Sequence, residues 1–235
     1  MPSCSLDNIK VISFDLDDTL WNGTEVLIHA EKTMTSWMAT HTPKISQTLS
    51  SEELRNRKIQ FIKNNRQLRY KVSQARLLFL SELFSDFDYP QAQDLANECF
   101  GVFYAARQEV TLFADVLEVL AELKEHFKLI AITNGNANLQ AVGLADYFDF
   151  CLNGEDFDFP KPHGDIFQAA LTKAGIASHE CLHVGDHPEH DMLGAKEAGI
   201  KTCWLEDDRH PWQHDFNADI TIRHVRELVP LLLAQ

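Results

Sequence analysis

The sequence predicts a doubly wound α/β core with an all-helical domain inserted after its first strand. Three observations support this fold class. Short apolar runs end in polar loops, which is typical of buried parallel strands. Between Trp21 and about Val110 the apolar spacing is helical, and after Val110 strands and helices alternate. We therefore predict a Rossmann-like parallel-sheet core made of residues 1–20 and 107–235, with a helical domain over residues 21–106.

The first strand is predicted from Val11 to Phe14, an apolar run that stops at an acidic loop. Short apolar runs bounded by polar loop residues indicate strands that are buried on both faces. The loop Asp15-Leu16-Asp17-Asp18 then follows at the carboxyl end of this strand, the edge of an open α/β sheet where ligands bind.

The inserted domain is predicted to be a small helical bundle. Ser50 or Ser51, followed by glutamates, marks the start of one helix, and the Tyr89-Pro90 break precedes another. Apolar residues at helical spacing predict four helices, within residues 26–38, 54–62, 68–79 and 95–103.

In the rest of the core, predicted strands and helices alternate, and this alternation predicts a parallel sheet with right-handed crossovers. Helices are predicted over residues 116–127, 165–174 and 191–198, and strands over residues 129–133, 181–184, 201–204 and 218–222.

Composition excludes several functions. The 235 residues contain 21 Lys and Arg against 35 Asp and Glu, a net charge of −14, which disfavours nucleic acid as a partner. The first apolar run is too short for a signal peptide or a membrane span, so a cytoplasmic protein without a membrane partner is expected. The oligomeric state stays open. The five cysteines are odd in number and lack a Cys-x-x-Cys pair, which indicates reduced thiols.

Acidic residues follow two of the predicted strands. Asp15 and Asp17 follow the first, and Asp186 follows the strand that ends at Val184. Such carboxylates would concentrate negative charge in one cleft unless a cation neutralised it. All-oxygen ligands suit Mg²⁺, which commonly shares a phosphate oxygen with its substrate. The acids therefore predict a magnesium site, and the magnesium predicts a phosphorylated ligand.

Groups that could bind a phosphoryl oxygen lie elsewhere in the chain. Lys161 stands between two prolines that restrict the backbone, and Thr133 offers a hydroxyl. The amides that follow Thr133, in Asn134-Gly135-Asn136, suit an anion. A carboxylate can act as the nucleophile while a neighbouring acid protonates the leaving group.

These segments together resemble the haloacid dehalogenase superfamily, with a helical cap inserted after the first motif. Four ordered motifs carry the resemblance across the whole chain: Asp15-Leu16-Asp17-Asp18-Thr19-Leu20, Thr133-Asn134-Gly135, Lys161-Pro162, and Gly185-Asp186 followed by Asp191.

The resemblance implies a Mg²⁺-dependent phosphatase of a small phosphorylated metabolite. Asp15 would be the nucleophile and Asp17 the general acid and base, with Asp17 also binding Mg²⁺ through its main-chain carbonyl. The remaining implied roles are phosphoryl binding by Thr133, Asn134, Gly135 and Lys161, Mg²⁺ binding by Asp15 and Asp186, and support by Asp191. The segments around Thr133, Asp186 and Cys203-Trp204 are similar to bacterial phosphatases that act on flavin mononucleotide or on the phosphorylated ribitylaminouracil precursor of riboflavin.

Several features leave alternatives open. Pro188 departs from the family pattern and leaves the role of Asp191 unsettled. His183, His187 and His190 invite a zinc site, but an ordinary buried histidine in a strand is favoured for His183. In the inserted domain a basic cluster surrounds Tyr70, and it either forms a solvated face or guides an anionic substrate; its members are Lys63, Arg66, Arg69 and Lys71.

Two other functions remain as alternatives. A hydrolytic dehalogenase would use Asp15 but needs neither a metal nor Asp17, so the acids disfavour it. A non-enzymatic phospho-acceptor would bind Mg²⁺ in the same pocket. The helical insert disfavours that function, because a receiver must expose its aspartate to a partner protein.

Overall fold

The computed structural model describes residues 6–233, so the predicted thiol of Cys4 lies outside the described residues. The chain forms two compact units. One contains the residues up to Gly23 and those from Thr111 onward, and the other spans Thr24–Val110. The divisions fall after Gly23 and Val110, a few residues beyond the predicted boundaries after residues 20 and 106.

A six-stranded parallel sheet forms the centre of the first unit. Its strands are β1 (Val11–Phe14), β2 (Lys128–Thr133), β3 (Phe150–Asn153), β4 (Cys181–Gly185), β5 (Lys201–Leu205) and β6 (Ile220–Ile222). Their order is β3-β2-β1-β4-β5-β6, so the predicted doubly wound fold is confirmed. The order reverses between β1 and β4, which opens a crevice at the carboxyl ends of these two strands.

The second unit is all-helical. Ser50 opens one of its helices with a capping box, because its hydroxyl accepts a hydrogen bond from Glu53 N while the Glu53 carboxylate accepts one from Ser50 N. Met34, Phe79 and Phe103 contribute to a buried apolar core. The helices are α1 (Gly23–His41), α2 (Pro43–Thr48), α3 (Ser51–Asn64), α4 (Val72–Asp86) and α5 (Ala92–Ala106), with a 3₁₀ turn at Arg66–Leu68.

In the described part of the first unit, four further helices flank the sheet. Ile166 and Phe167 from one of them pack with Val11 and Ile130 in a buried cluster. Across residues 6–233, no helix has both the length and the apolar character that crossing a bilayer requires. The helices are α6 (Val116–Lys124), α7 (Gly164–Ala174), α8 (Gly194–Glu197) and α9 (Leu228–Leu233), with 3₁₀ turns at Gly154–Asp156, Ser178–Glu180 and Val225–Glu227.

Several elements differ from the sequence prediction. Helices α2 and α9, of six residues each, were not predicted. Strand β3 was not predicted, because its apolar run, Phe150 to Leu152, is only three residues long and lies half-buried at the sheet edge. The predicted helix over residues 191–198 is instead a π-helical turn, Pro188–Leu193, followed by α8. In that turn the amides of Asp191 and Met192 both donate to His187 O, which widens the backbone at Asp191.

Candidate active site

All eight predicted site residues line one cavity of about 170 Å³ in the first unit. Strand β1 supplies the acids that follow it, β2 ends at Thr133, and β4 leads into Asp186. The cavity is lined by Asp15, Asp17, Asp18, Thr133, Asn134, Gly135, Lys161, Asp186, His187, His190, Asp191 and His210.

Lys161 joins two carboxylates inside this cavity. Its Nζ donates to Asp15 Oδ1 at 2.6 Å and to Asp191 Oδ1 at 2.5 Å, and all three side chains are buried. Burial alone would raise the pKa of Asp191, but the Lys161 ammonium and His183 hold it well below its usual range. Burial raises the pKa of Asp15 to about 7 although Lys161 opposes this shift. Asp191 is therefore the carboxylate that stays ionised.

Asp186 lies in the same cavity, and no lysine or arginine among residues 6–233 forms a hydrogen bond or ion pair with its carboxylate. Thr19 Oγ1 donates to its Oδ1 at 3.3 Å, and His210 Nδ1 lies 3.1 Å from its Oδ2. Burial, followed by the charges of Asp191 and Asp15, raises the pKa of Asp186 to about 8. This carboxylate would be stabilised by an added cation.

A metal could be held by this acidic cluster. Carboxylate oxygens of Asp15, Asp186 and Asp191 lie within 4.8 Å of one another. Within residues 6–233 no other group of three acidic, histidine or cysteine side chains meets that distance. The donors are hard oxygens, and burial together with the negative charges of Asp191 and Asp15 raises the pKa of Asp186. Both properties fit Mg²⁺.

The Asp17 carboxylate is not part of that cluster. Its Oδ1 accepts a hydrogen bond from Trp21 Nε1 at 2.8 Å, and the Trp21 ring is fully buried. The carboxylate is thus tethered at the cavity lining by a rigid donor. The neighbouring Asp18 accepts from Gly23 N and pairs with Arg209.

Asn134 holds the backbone of Lys161 rather than offering its side chain to a ligand. Its Nδ2 donates to Lys161 O at 2.9 Å, and Lys161 N donates to its Oδ1 at 3.0 Å. Thr133 Oγ1 accepts from Gly135 N at 2.9 Å, which shapes the loop after β2. The hydroxyl proton of Thr133 remains available for an anion.

Asp191 approaches the sheet so closely that residue 185 must be glycine. A Cβ added to Gly185 would lie 2.4 Å from Asp191 Cγ. His187 N donates to Asp191 Oδ2 at 3.0 Å, so the π-helical turn aims this carboxylate at Lys161 despite Pro188.

The histidines of this region divide into two groups. His183 is fully buried in β4, as predicted, and contacts Ser13 and Asp191. His187 Nδ1 accepts from the amides of Glu189 and His190, so this ring caps the turn. His187 stacks on His190, with ring centroids 3.9 Å apart, and lies 4.5 Å from His210. Burial, followed by His190 and His210, lowers the pKa of His187 to about 4.

Some residues at the site were missed by sequence reasoning. The buried Trp21 donates to Asp17, and Thr19 donates to Asp186. Arg209 and His210 come from the long loop between β5 and β6 and reach Asp18 and Asp186. Nothing in the local sequence of that loop indicates such contacts. For His183 there was one sequence signal, namely a polar imidazole within the otherwise apolar predicted strand Cys181-Leu182-His183-Val184.

Fold and cavity together define a doubly wound α/β protein with a buried aspartate, Asp15, in an acidic site at the carboxyl end of β1. The haloacid dehalogenase-like hydrolase model matches residues 9–199, and the chain belongs to this family. The predicted family and the predicted enzyme class are confirmed, with phosphatases prominent among its curated relatives.

Individual relatives are also similar over most of their length. The 5-amino-6-(5-phospho-D-ribitylamino)uracil phosphatase YigB of Escherichia coli is 27% identical over 202 residues, covering 85% of this chain and 84% of that protein. The E. coli pyrimidine 5'-nucleotidase YjjG is 34% identical over 142 residues, covering 58% and 62%. A crystal structure described as a 2-haloacid dehalogenase from Pseudomonas syringae is 36% identical, with a TM-score of 0.89 over 96% of this chain and 98% of that one.

Proposed function

We propose that this chain is a Mg²⁺-dependent phosphomonoester hydrolase that works through an aspartyl-phosphate on Asp15. The observation that carries the proposal is the composition of the cavity. It combines a carboxylate cluster suited to a divalent cation with a buried lysine on Asp15 and a threonine hydroxyl nearby. A phosphate ester needs all three kinds of group.

Asp15 and Asp186 would hold the metal through their carboxylates, with Asp17 contributing its main-chain carbonyl as in the family. Bound Mg²⁺ supplies positive charge that offsets the carboxylates and the phosphoryl oxygens. Asp191 supports the site by holding Lys161, since its own Oδ1 accepts from that ammonium.

The protein groups divide the reaction between them. Asp15 attacks phosphorus as the bond to the leaving oxygen breaks, and Asp17 donates a proton to that oxygen. Asp17 then takes a proton from water, which attacks phosphorus and releases phosphate from Asp15. Lys161 and Thr133 bind the phosphoryl oxygens in both steps.

The substrate is proposed to be a small phosphorylated metabolite. The ribitylaminouracil phosphatase and the nucleotidase named above act on phosphate esters of this size class, which supports the proposal. Flavin mononucleotide and the ribitylaminouracil phosphate are the first candidates, because the motif resemblance and the relative at 27% identity agree. A role in riboflavin biosynthesis would follow.

A hydrolytic dehalogenase is the second candidate, favoured by the solved structure at 36% identity. Attack of Asp15 on carbon with loss of halide needs neither a cation nor a proton donor. Asp186 has a raised pKa and no lysine or arginine partner in the described part of the chain, and it would then have no evident purpose. The tethered carboxylate of Asp17 would also be superfluous.

The test is a screen of phosphorylated metabolites with Mg²⁺ and with chelator, run beside 2-haloacids. We expect phosphate release that requires Mg²⁺ and disappears in Asp15→Asn, with no halide release. Halide release that persists in chelator would establish the dehalogenase instead. Full phosphatase activity in excess chelator would refute the metal assignment.

A further inference from the structure

A hydrogen-bonded network of buried polar side chains extends from the interior of the sheet to the proposed nucleophile, Asp15. Ser13 and His183 are cross-strand partners of β1 and β4, and Ser13 Oγ lies 2.8 Å from His183 Nδ1. His183 Nε2 lies 3.2 Å from Asp191 Oδ1, which also accepts from Lys161. Lys161 then reaches Asp15.

The direction of each hydrogen bond follows from the chemistry of its partners. The Asp191 carboxylate bonded to Lys161 can only accept, so His183 Nε2 must donate to it. A neutral imidazole protonated at Nε2 has a lone pair at Nδ1, which therefore accepts from the Ser13 hydroxyl. Cys181 Sγ, 3.8 Å from Ser13 Oγ, is placed to donate to that oxygen. The Asp191 carboxylate thus sets the tautomer, and the Ser13 hydroxyl is compatible with it.

We propose that His183 is a positioning residue for the proposed phosphatase reaction, which holds the Asp191 carboxylate and, through it, the Lys161 ammonium against Asp15. The inference rests on the proposed function for its consequence in catalysis. Its structural basis is independent, because the contacts of His183 stand whatever the substrate.

The need for such a group follows from what Lys161 must do. An ammonium has three protons, and two of them are used by Asp15 and Asp191. The third is left for a phosphoryl oxygen only while both carboxylates keep their places. His187 N fixes Asp191 Oδ2, and His183 fixes Oδ1, the oxygen that holds Lys161. Phe167 meets the His183 ring edge-on with centroids 5.1 Å apart, which restricts its rotation.

Two substitutions of His183 test the contacts of its two ring nitrogens separately. In His183→Gln the side-chain amide reaches the region of Nε2 and can still donate to Asp191. In His183→Asn the amide reaches only the region of Nδ1 and keeps the Ser13 contact. Thr202→Val is the matched control. Thr202 carries a buried hydroxyl on the adjacent strand β5, and this hydroxyl bonds to Asp219, outside the network.

The measurements are kcat and KM for an aryl phosphate, with the thermal midpoint of each variant. We expect His183→Asn to lose about 10- to 100-fold in kcat, as a misplaced catalytic group does, and His183→Gln to stay within about threefold of the native enzyme. Thr202→Val should lower the midpoint without lowering kcat. Equal kcat values for the Gln and Asn variants at similar midpoints would overturn the proposal.

A second measurement does not depend on activity. Two-bond ¹H–¹⁵N correlation spectra of the native protein report the tautomer of each histidine, and His183→Gln identifies the signals of His183 among the 11 histidines. We expect a neutral ring protonated at Nε2. Protonation at Nδ1 would turn a lone pair toward Asp191 and overturn the proposal, even if every phosphate ester were hydrolysed. If His183 has the Nε2 tautomer but the protein hydrolyses no phosphate ester, the hydrogen-bonded network is supported and the proposed phosphatase function is rejected.

Discussion

Trp21 Nε1 donates a 2.8 Å hydrogen bond to Asp17 Oδ1 from a fully buried ring. The proposed general acid is therefore held by a donor that the packing of the core immobilises. Its second oxygen is the one that would transfer the proton. The contact joins two residues of the same loop, so the acid is oriented locally, independently of the helical unit.

Trp21→Phe should slow the hydrolysis of alkyl phosphates more than that of aryl phosphates. The substitution keeps an aromatic ring but removes the donor, and a hydrogen bond to a charged group contributes about 1.5 to 3 kcal/mol. We expect about a tenfold fall in kcat for alkyl esters, whose leaving groups need the proton most. Trp37→Phe in the helical unit is the control and should leave the ratio of alkyl to aryl rates unchanged.

Asp17→Asn should let phosphorylated Asp15 accumulate during aryl phosphate hydrolysis. Aryl groups depart without a proton, but the second step still needs a base to activate water. Alkyl phosphate hydrolysis should fall by about 10²- to 10⁴-fold. Rapid quench with a ³²P-labelled aryl phosphate and peptide mapping locates the label, and Asp15→Asn should carry none. Label on another residue would show that Asp15 is not the nucleophile.

Mg²⁺ should stabilise the protein more at alkaline than at acidic pH. Burial raises the pKa of Asp15 to about 7 and that of Asp186 to about 8 in the metal-free protein. The folded state therefore binds protons that the unfolded state releases, and these two groups lower stability as pH rises from about 4 to about 8. The lowered pKa of Asp191 has the opposite effect on the stability of the folded protein. This effect is confined to acidic pH, where protonation of Asp191 removes its stabilising contribution.

Thermal unfolding with Mg²⁺ and with chelator, at about pH 6 and about pH 8.5, measures this effect. At a hundred times its Kd the ion adds about 2.7 kcal/mol at the higher pH. Asp186→Asn should raise the metal-free midpoint at the higher pH and remove most of the response to Mg²⁺. An equal response at both pH values would contradict the raised pKa values.

The basic cluster of the helical unit should affect substrate binding more than chemistry. Arg66 and Arg69 are exposed, and the Arg69 guanidinium lies 5.2 Å from the Tyr70 ring centroid. Replacing both arginines with alanine should raise KM for an anionic metabolite by about 3- to 10-fold with little change in kcat. Lys44→Ala is a matched control, because Lys44 lies 5.3 Å over Tyr89 in the same unit. A fall in kcat at constant KM would place the arginines at the reacting centre.

The central strands were predictable because each is a buried apolar run that ends at a polar loop. Strand β3 was not predicted, since its apolar run of three residues, Phe150 to Leu152, is short and only half-buried. The π-helical turn keeps apolar residues at spacings that also suit an α-helix, and only the hydrogen bonds to His187 O distinguish the two.

The site was predictable where its residues follow strands. Asp15, Thr133 and Asp186 stand at the ends of β1, β2 and β4, and the sheet alone brings them together. Contacts between distant loops left no sequence signal. Asn134 holds the backbone of Lys161 from 27 residues away, and Arg209 reaches Asp18 over 191 residues.

The central position of β1 has a consequence for the order of assembly. Its partners are β2 and β4, which begin at Lys128 and Cys181, so the strand that precedes the proposed nucleophile is synthesised long before either neighbour exists. Contacts this distant in sequence slow folding, and nascent domains fold from the amino terminus as they emerge. The helical unit can form its own core during synthesis while β1 still lacks both of its partner strands. The proposed nucleophile would then be translated before both partner strands and positioned only after they have emerged.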